Sequence, residues 1–166
     1  MERNQLTEIK CNAPAKNITM EIRFAQKKDL VQIVDLCNEH AAYEKAKYDK
    51  SNKLELLSGA IFGQNPSLQC LVIEDNSLII GYASFMKQFS TWDANLYIYL
   101  DCIFLKEAAR GKGFGKLLME KIKEYSKNEN CSLIQWQTPF FNKKAIEFYI
   151  KIGAESKNKE RFFLNI

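Results

Sequence analysis

Apolar residues recur at two different periods along this chain, and the switches between them mark its elements. Ile18 to Phe24 alternates weakly and predicts a first strand. From Asp29 to Lys47 the apolar positions are Leu30, Ile33, Val34, Cys37 and Ala41, one face of an amphipathic helix. Leu54, Leu57, Ala60 and Ile61 predict a second, shorter helix that stops near Gly63 and Pro66. Leu68 to Glu74 and Leu78 to Phe89 read as two strands of a hairpin, joined by an Asp75-Asn76-Ser77 turn. After a loop from Ser90 to Asn95, Leu96 to Leu105 is almost continuously apolar. Such a run predicts a strand covered on both faces, at the centre of a sheet.

A glycine-rich bend, Arg110 to Gly115, opens a helix to about Lys127, with Phe114, Leu117, Leu118, Ile122 and Tyr125 on one face. Cys131 to Gln137 predicts another strand. Asn142 is positioned as the N-cap of a helix carrying Ala145, Ile146, Phe148 and Tyr149, with Gly153 as its C′ residue. Arg161 to Ile166 predicts an edge strand. Residues 1–17 show no clear period and are expected to form a flexible extension. Residues 18–166 contain no repeat or linker and are expected to form one domain of the α/β (α+β) class.

Composition narrows the functional classes. A chain of 166 residues, 46% hydrophobic and 27% charged, can build a core without disulfide or metal. The five cysteines form no C-x-x-C pair, so no zinc or redox signature exists and no metal is expected. An odd number of thiols and a polar N-terminal stretch predict a reduced, cytoplasmic protein. No apolar run approaches the ~18 residues a membrane span needs. The net charge of +4 is spread along the chain, without the dense basic stripe and interleaved aromatics of a nucleic-acid binder.

The informative stretch is Arg110-Gly111-Lys112-Gly113-Phe114-Gly115-Lys116. It follows an apolar strand and opens a helix, so free N–H groups and the helix dipole favour an anion there. Glycines keep side chains away and permit the positive φ angles that aim successive N–H groups at one point. A dinucleotide fingerprint is excluded because the third glycine comes one residue early. A Walker loop is excluded because Leu117 follows Lys116 and the preceding spacing is wrong.

The pattern that fits, R-x-x-G-x-G, resembles the pyrophosphate loop of the GNAT acetyltransferases. Asn142-Lys143-Lys144-Ala145-Ile146-Glu147-Phe148-Tyr149, followed by Ile152-Gly153-Ala154, is similar to that family's later helix, N-x-x-A-I-x-F-Y. His40-Ala41-Ala42-Tyr43-Glu44, Asn65-Pro66 and Tyr99-Leu100-Asp101 resemble its diamine (spermidine/spermine) branch. One departure stands out. The branch carries two adjacent acidic residues on the central strand, where this chain has Asp101-Cys102.

The resemblance implies the GNAT fold, a mixed and mostly antiparallel sheet flanked by helices. It implies transfer of acetyl from acetyl-CoA to a primary amine of a small molecule, either a diamine or polyamine or an amino-acid-like amine. It also implies a homodimer. The cofactor contacts expected from it are Ile103, Phe104 and Leu105, the loop residues Arg110, Gly111, Lys112, Gly113, Phe114, Gly115 and Lys116, and Asn142. A strand bulge is expected around Ile103 to Leu105, freeing N–H groups for an oxyanion. Tyr149 is the implied acid that protonates the leaving thiolate.

Asp101 is either the base that deprotonates the amine or an anchor for its cation; in an apolar strand, burial is expected to raise its pKa. Tyr43 and Glu44 either line the amine pocket or are simply a helix end against the sheet. For Asn142, a purely capping role suffices. Cys102 is expected to be an inert buried thiol, and His40, the single histidine, a solvated side chain. Two other functions remain open at this point: a non-catalytic acyl-CoA-binding module, and a protein N-acetyltransferase whose groove depends on the Lys87–Asn95 loop.

Overall fold

The computed structural model describes residues 20–166. The extension expected for residues 1–17, and Ile18 and Thr19 at the start of the first strand, lie outside these residues. Contacts divide the chain into two compact units, one running to Trp136 and the other Gln137–Ile166.

In the first unit, strand β1 is Met20–Phe24. A 3-10 turn, Lys27–Asp29, leads into helix α1, Leu30–Tyr43. Helix α2 is Lys53–Phe62, then come β2 (Gln69–Asp75), β3 (Leu78–Ser90) and β4 (Asn95–Leu105). Helix α3, Phe114–Asn128, and a two-residue strand β5, Ile134–Gln135, complete it. The five strands lie in sequence order; β1 to β4 are antiparallel and β5 runs parallel to β4.

The hairpin between β2 and β3 is as the alternation predicts. Asn76 and Ser77 both take positive φ, +49° and +69°, the left-handed pair that matches strand twist in a two-residue turn. Helix α1 stops four residues short of the expected Lys47. Ala46 donates its N–H to the Ala41 carbonyl at 2.8 Å and Lys45 sits at φ +57°, a left-handed stop made without glycine. The sequence therefore carried no signal for it.

The two faces of the sheet are filled differently. Ile33 and Leu36 of α1 pack with Cys70, Val72, Tyr82 and Phe104 of the sheet, and Leu57 and Ile61 of α2 close this layer. On the other face, Tyr125 of α3 meets Phe24 and Phe85 edge-on, with ring centroids at 6.0 and 5.1 Å. The strands buried on both faces are β2 and β3, through Cys70–Ile73 and Gly81–Phe85. β4 is not the central strand its apolar run predicted. It lies fourth of five, beside the two-residue β5, and only Ile98, Leu100 and Phe104 along it are buried. The expected strand from Cys131 to Gln137 shrinks to β5.

The second unit contains helix α4, Lys143–Lys151. Asn142 caps it, its side chain accepting the Ala145 N–H at 3.3 Å, and Gly153 follows at φ +89°. No strand forms at Arg161 to Ile166. Nothing else within 137–166 is a strand, so the segment has no partner there; Phe162 and Leu164 are exposed.

One buried ion cluster ties β1, β2 and α1 together. The Arg23 guanidinium forks onto Asp29, with bonds of 2.7 and 3.0 Å, and its Nε donates to Glu74 at 2.8 Å. Burial alone would raise the Asp29 carboxyl, but Arg23 and the Gln26 N–H hold it below its ordinary value. Asp29 is therefore charged in the native state, and its contribution is complete above the unfolded carboxylate pKa of ~3.9. The contribution drains as the pH falls through the lower, folded value. Arg23→Met leaves Asp29 buried and unpaired, and at pH 7 it should cost about 3–5 kcal/mol in urea unfolding. The gap between variant and wild type should narrow below about pH 4; a pH-independent gap would contradict this account.

Candidate functional site

The strand that precedes the glycine bend carries an extra residue. Ser84 pairs with Cys102 and Phe85 with Leu100, so Asp101 is the additional residue on β4. Backbone hydrogen bonds on either side fix what this does. Ile98 donates to Leu133 on the β5 side at 2.9 Å, so even-numbered N–H groups face β5 before the extra residue. Past it, Lys106 donates to Ile80 on β3 at 2.9 Å, so the even-numbered groups face β3. The N–H groups of Ile103 and Leu105 consequently face the edge away from β3. Pairing with β5 ends at Tyr99–Gln135, and no strand among the described residues pairs with the edge beyond that point. The bulge thus sits at Asp101 rather than around Ile103 to Leu105, while the N–H groups it frees are those of Ile103 and Leu105.

The bend leads from this edge into α3. Gly111 and Gly113 take φ +73° and +87°, and a Cβ on either would meet nothing within 4 Å. Positive φ, not crowding, is what requires glycine here. Gly113 is the N-cap of α3 and offers no side chain to the first-turn N–H groups. Lys112 and Lys116 are exposed beside it; Phe114 and Gly115 are half-buried.

Arg110 plays a different part from its neighbours. Its Nε donates to the Leu105 carbonyl at 2.9 Å, and its guanidinium lies 4.3 Å from the Tyr43 ring centroid and 5.3 Å from that of Phe104. The end of α1 is thereby stacked onto the end of β4 through a cation and two rings. Glu44 is the residue that caps α1 and lies against His40, Oε1 to Nε2 at 3.3 Å.

His40 is not the solvated side chain expected from its sequence position. It stacks on Phe104 with ring centroids 5.1 Å apart, and its Nδ1 lies 3.1 Å from the Tyr82 hydroxyl. Burial pushes its pKa down, against the pull of Glu44. Helical periodicity could have placed His40 on the same face as Ile33 and Cys37, so a signal was present.

A cavity of about 70 Å³ opens between α1, α2 and strands β2 to β4. Asp101 stands at its mouth, and Oδ2 of Asp101 accepts the Ser84 hydroxyl at 3.4 Å. Asp101 is exposed, not buried as the apolar run implied, although its side chain lies on the α1–α2 side of the sheet with Ser84 and Cys102. Cys37, Cys70 and Cys102 also line the cavity. Burial pushes both Cys70 and Cys102 up to about 12, so neither offers a thiolate at neutral pH.

Within the first unit, then, the chain gathers Asp101, the open β4 edge, the glycine bend, Arg110, Tyr43 and Glu44. Asn142 and Tyr149 belong to the second unit. Asn142 is the α4 cap, and Tyr149 lies half-buried beside Phe148, with ring centroids 5.3 Å apart. No group of three or more potential metal ligands occurs among the described residues.

A sheet whose fourth strand bulges and parts from a short parallel fifth, with a glycine bend leading into a glycine-capped helix, is the architecture of acyl-CoA-dependent N-acyltransferases. Residues 28–154 match the model of the acetyltransferase (GNAT) family. The chain belongs to that family, and it is an N-acetyltransferase. It is similar to the thialysine N-epsilon-acetyltransferase of Mus musculus, 30% identical over 152 residues, covering 87% of this chain and 89% of that one. The Sus scrofa enzyme of the same name is 33% identical over 141 residues, covering 80% and 82%. Among solved structures, an aminoglycoside N-acetyltransferase in complex with CoA superposes with a TM-score of 0.75, at 18% identity over 93% of this chain and 99% of that one. An integron cassette protein of V. cholerae gives 0.72, at 23% identity over 90% and 95%.

The raised thiol pKa values predict slow chemistry. At pH 7, maleimide labelling of Cys70 and Cys102, read by peptide mass mapping, should run roughly a hundredfold slower in native protein than in urea. Labelling of Cys102 at the denatured rate would reopen it as a nucleophile.

Proposed function

We propose that the enzyme transfers acetyl from acetyl-CoA directly to the primary amine of a small molecule, with the open edge of β4 and the glycine bend as its cofactor cradle. The observation that carries this reading is the reversal at Asp101. It directs the Ile103 and Leu105 N–H groups to an edge of the strand that the bend joins to the N-terminus of α3, whose cap residue Gly113 makes no side-chain bond. Phosphate oxygens suit that helix end and the loop from Arg110 to Lys116, with Lys112 and Lys116 adding positive charge. Phe104 supports the edge from beneath, through the Arg110 stack. In this family Asn142 is also expected to meet the cofactor.

An alkyl ammonium with a pKa near ~10.4 must lose a proton before it attacks. Asp101 is the group beside the cavity that can take that proton or hold the cation while water takes it. Tyr43 and Glu44 bound the same side of the site. As the N–C bond forms, negative charge grows on the thioester oxygen, which the Ile103 and Leu105 N–H groups can receive. The C–S bond then breaks, and the Tyr149 phenol donates its proton to the departing sulfur. The mammalian relatives are named for thialysine, which also offers a primary amine.

Two further proposals concern context. Four free thiols among the described residues, Cys37, Cys70, Cys102 and Cys131, suit a reducing cytoplasm. No helix among the described residues is long and apolar enough to cross a membrane. The family resemblance, with Phe162 and Leu164 exposed, supports a homodimer, which sedimentation would test.

A colorimetric assay of CoA release tests the central reading: release should depend on added amine. Tyr149→Phe should lower kcat by roughly a hundredfold and leave the acetyl-CoA Kd nearly unchanged. Unchanged turnover would remove Tyr149 as the acid. Gly113→Ala forces a side chain into positive φ and should weaken acetyl-CoA binding in calorimetry by about tenfold, with little change in the amine KM at saturating cofactor. Equal affinity would remove the bend from the cradle.

A further inference from the structure

We infer that the acceptor is a short primary monoamine whose uncharged tail enters the cavity behind Asp101. The inference rests on the transfer reading above and narrows its substrate. Three observations carry it. First, Asp101 is the one ionisable acid or base with an ordinary range below neutrality in the cavity lining, and it stands at the mouth with Ser84 hydrogen-bonded to it. Second, the rest of the lining is Ile33, Leu57, Ile61, Leu68, the uncharged phenol Tyr82 and the thiols of Cys37, Cys70 and Cys102. Burial raises all three thiols, so they stay neutral and polarisable. Third, the cavity of about 70 Å³ takes roughly five to seven water-sized groups, the size of a chain of a few methylenes.

A diamine or a lysine-like amine in the same pose would bring a second charge into these walls, where nothing of opposite sign meets it. Burying an unpaired charge is strongly unfavourable, so the cavity selects against such acceptors. Asp29, in the turn before α1, and Glu74 of β2 are already held by Arg23. Cys102 therefore does more than omit a second carboxylate next to Asp101: its thiol forms part of the apolar wall.

The test compares n-propylamine, n-butylamine and n-pentylamine with putrescine, cadaverine and lysine as acceptors, reading CoA release. The monoamines should show kcat/KM on the order of a hundredfold higher than the dications. n-Butylamine alone, without acetyl-CoA, should raise Tm more than putrescine does. Ile61→Glu and, separately, Leu57→Glu place a carboxylate in the wall; either variant, if folded by circular dichroism, should shift preference toward putrescine by at least about tenfold. Diamines equal to or better than monoamines in the wild type would overturn the inference and leave acetyl transfer standing. An unchanged preference in a folded variant would overturn it too. If both variants fail to fold, the wild-type panel and the Tm comparison still decide. Tight acetyl-CoA binding with no turnover of any amine would overturn the transfer reading, and this inference with it.

Discussion

Strand β4 carries one residue more than the strand it pairs with, and the site depends on where that residue falls. An antiparallel ladder assigns alternate N–H groups to alternate edges. Adding Asp101 reverses the assignment midway along β4, so the half that follows directs Ile103 and Leu105 at the edge that β5 has left. The same residue turns its own carboxylate toward the cavity mouth. One backbone irregularity thus supplies unpaired donors and an acid on a single strand, separated by no more than four residues in sequence.

The surrounding residues hold that irregularity in place. Arg110, a few residues past the strand, bonds back to Leu105 and lies over Phe104 and Tyr43. His40 stacks on Phe104 from α1 and reaches Tyr82 on β3. The cofactor side and the acceptor side of β4 therefore share one stack of rings and one guanidinium. A planar, permanently charged fork can bond and stack at once, which an ammonium in this position cannot do. Arg110 thus holds the ends of α1 and β4 together.

Acetyl transfer to an amine asks for a proton acceptor near one end of the reacting atoms and a proton donor near the other. The proposed acceptor, Asp101, belongs to a strand of the larger unit, and the proposed donor, Tyr149, to a helix with its own cap and its own left-handed stop at Gly153. The apolar, thiol-lined cavity beside Asp101 is the feature on which the proposed acceptor preference rests.

Local patterns in the sequence determined most of the elements, because periodicity and turn chemistry act over a few residues. The β2–β3 hairpin, the N-cap of α4 and the glycine bend at the start of α3 were legible in this way, as was the family through its loop and late-helix motifs. What long-range pairing governs was not legible. Apolar character alone made β4 look central, yet its neighbour on one side shrank to two residues, and the extra residue fell at Asp101 rather than beyond Cys102. Asp101 itself is exposed, although the surrounding apolar run suggested it was buried. Phe162 to Ile166 has the composition of a strand, but a strand exists only with a partner, and none lies within its unit. His40 became a stacked, half-buried group only because Phe104 and Tyr82 arrive from distant strands. Register and pairing are sums over the whole sheet, and no short window of sequence contains them.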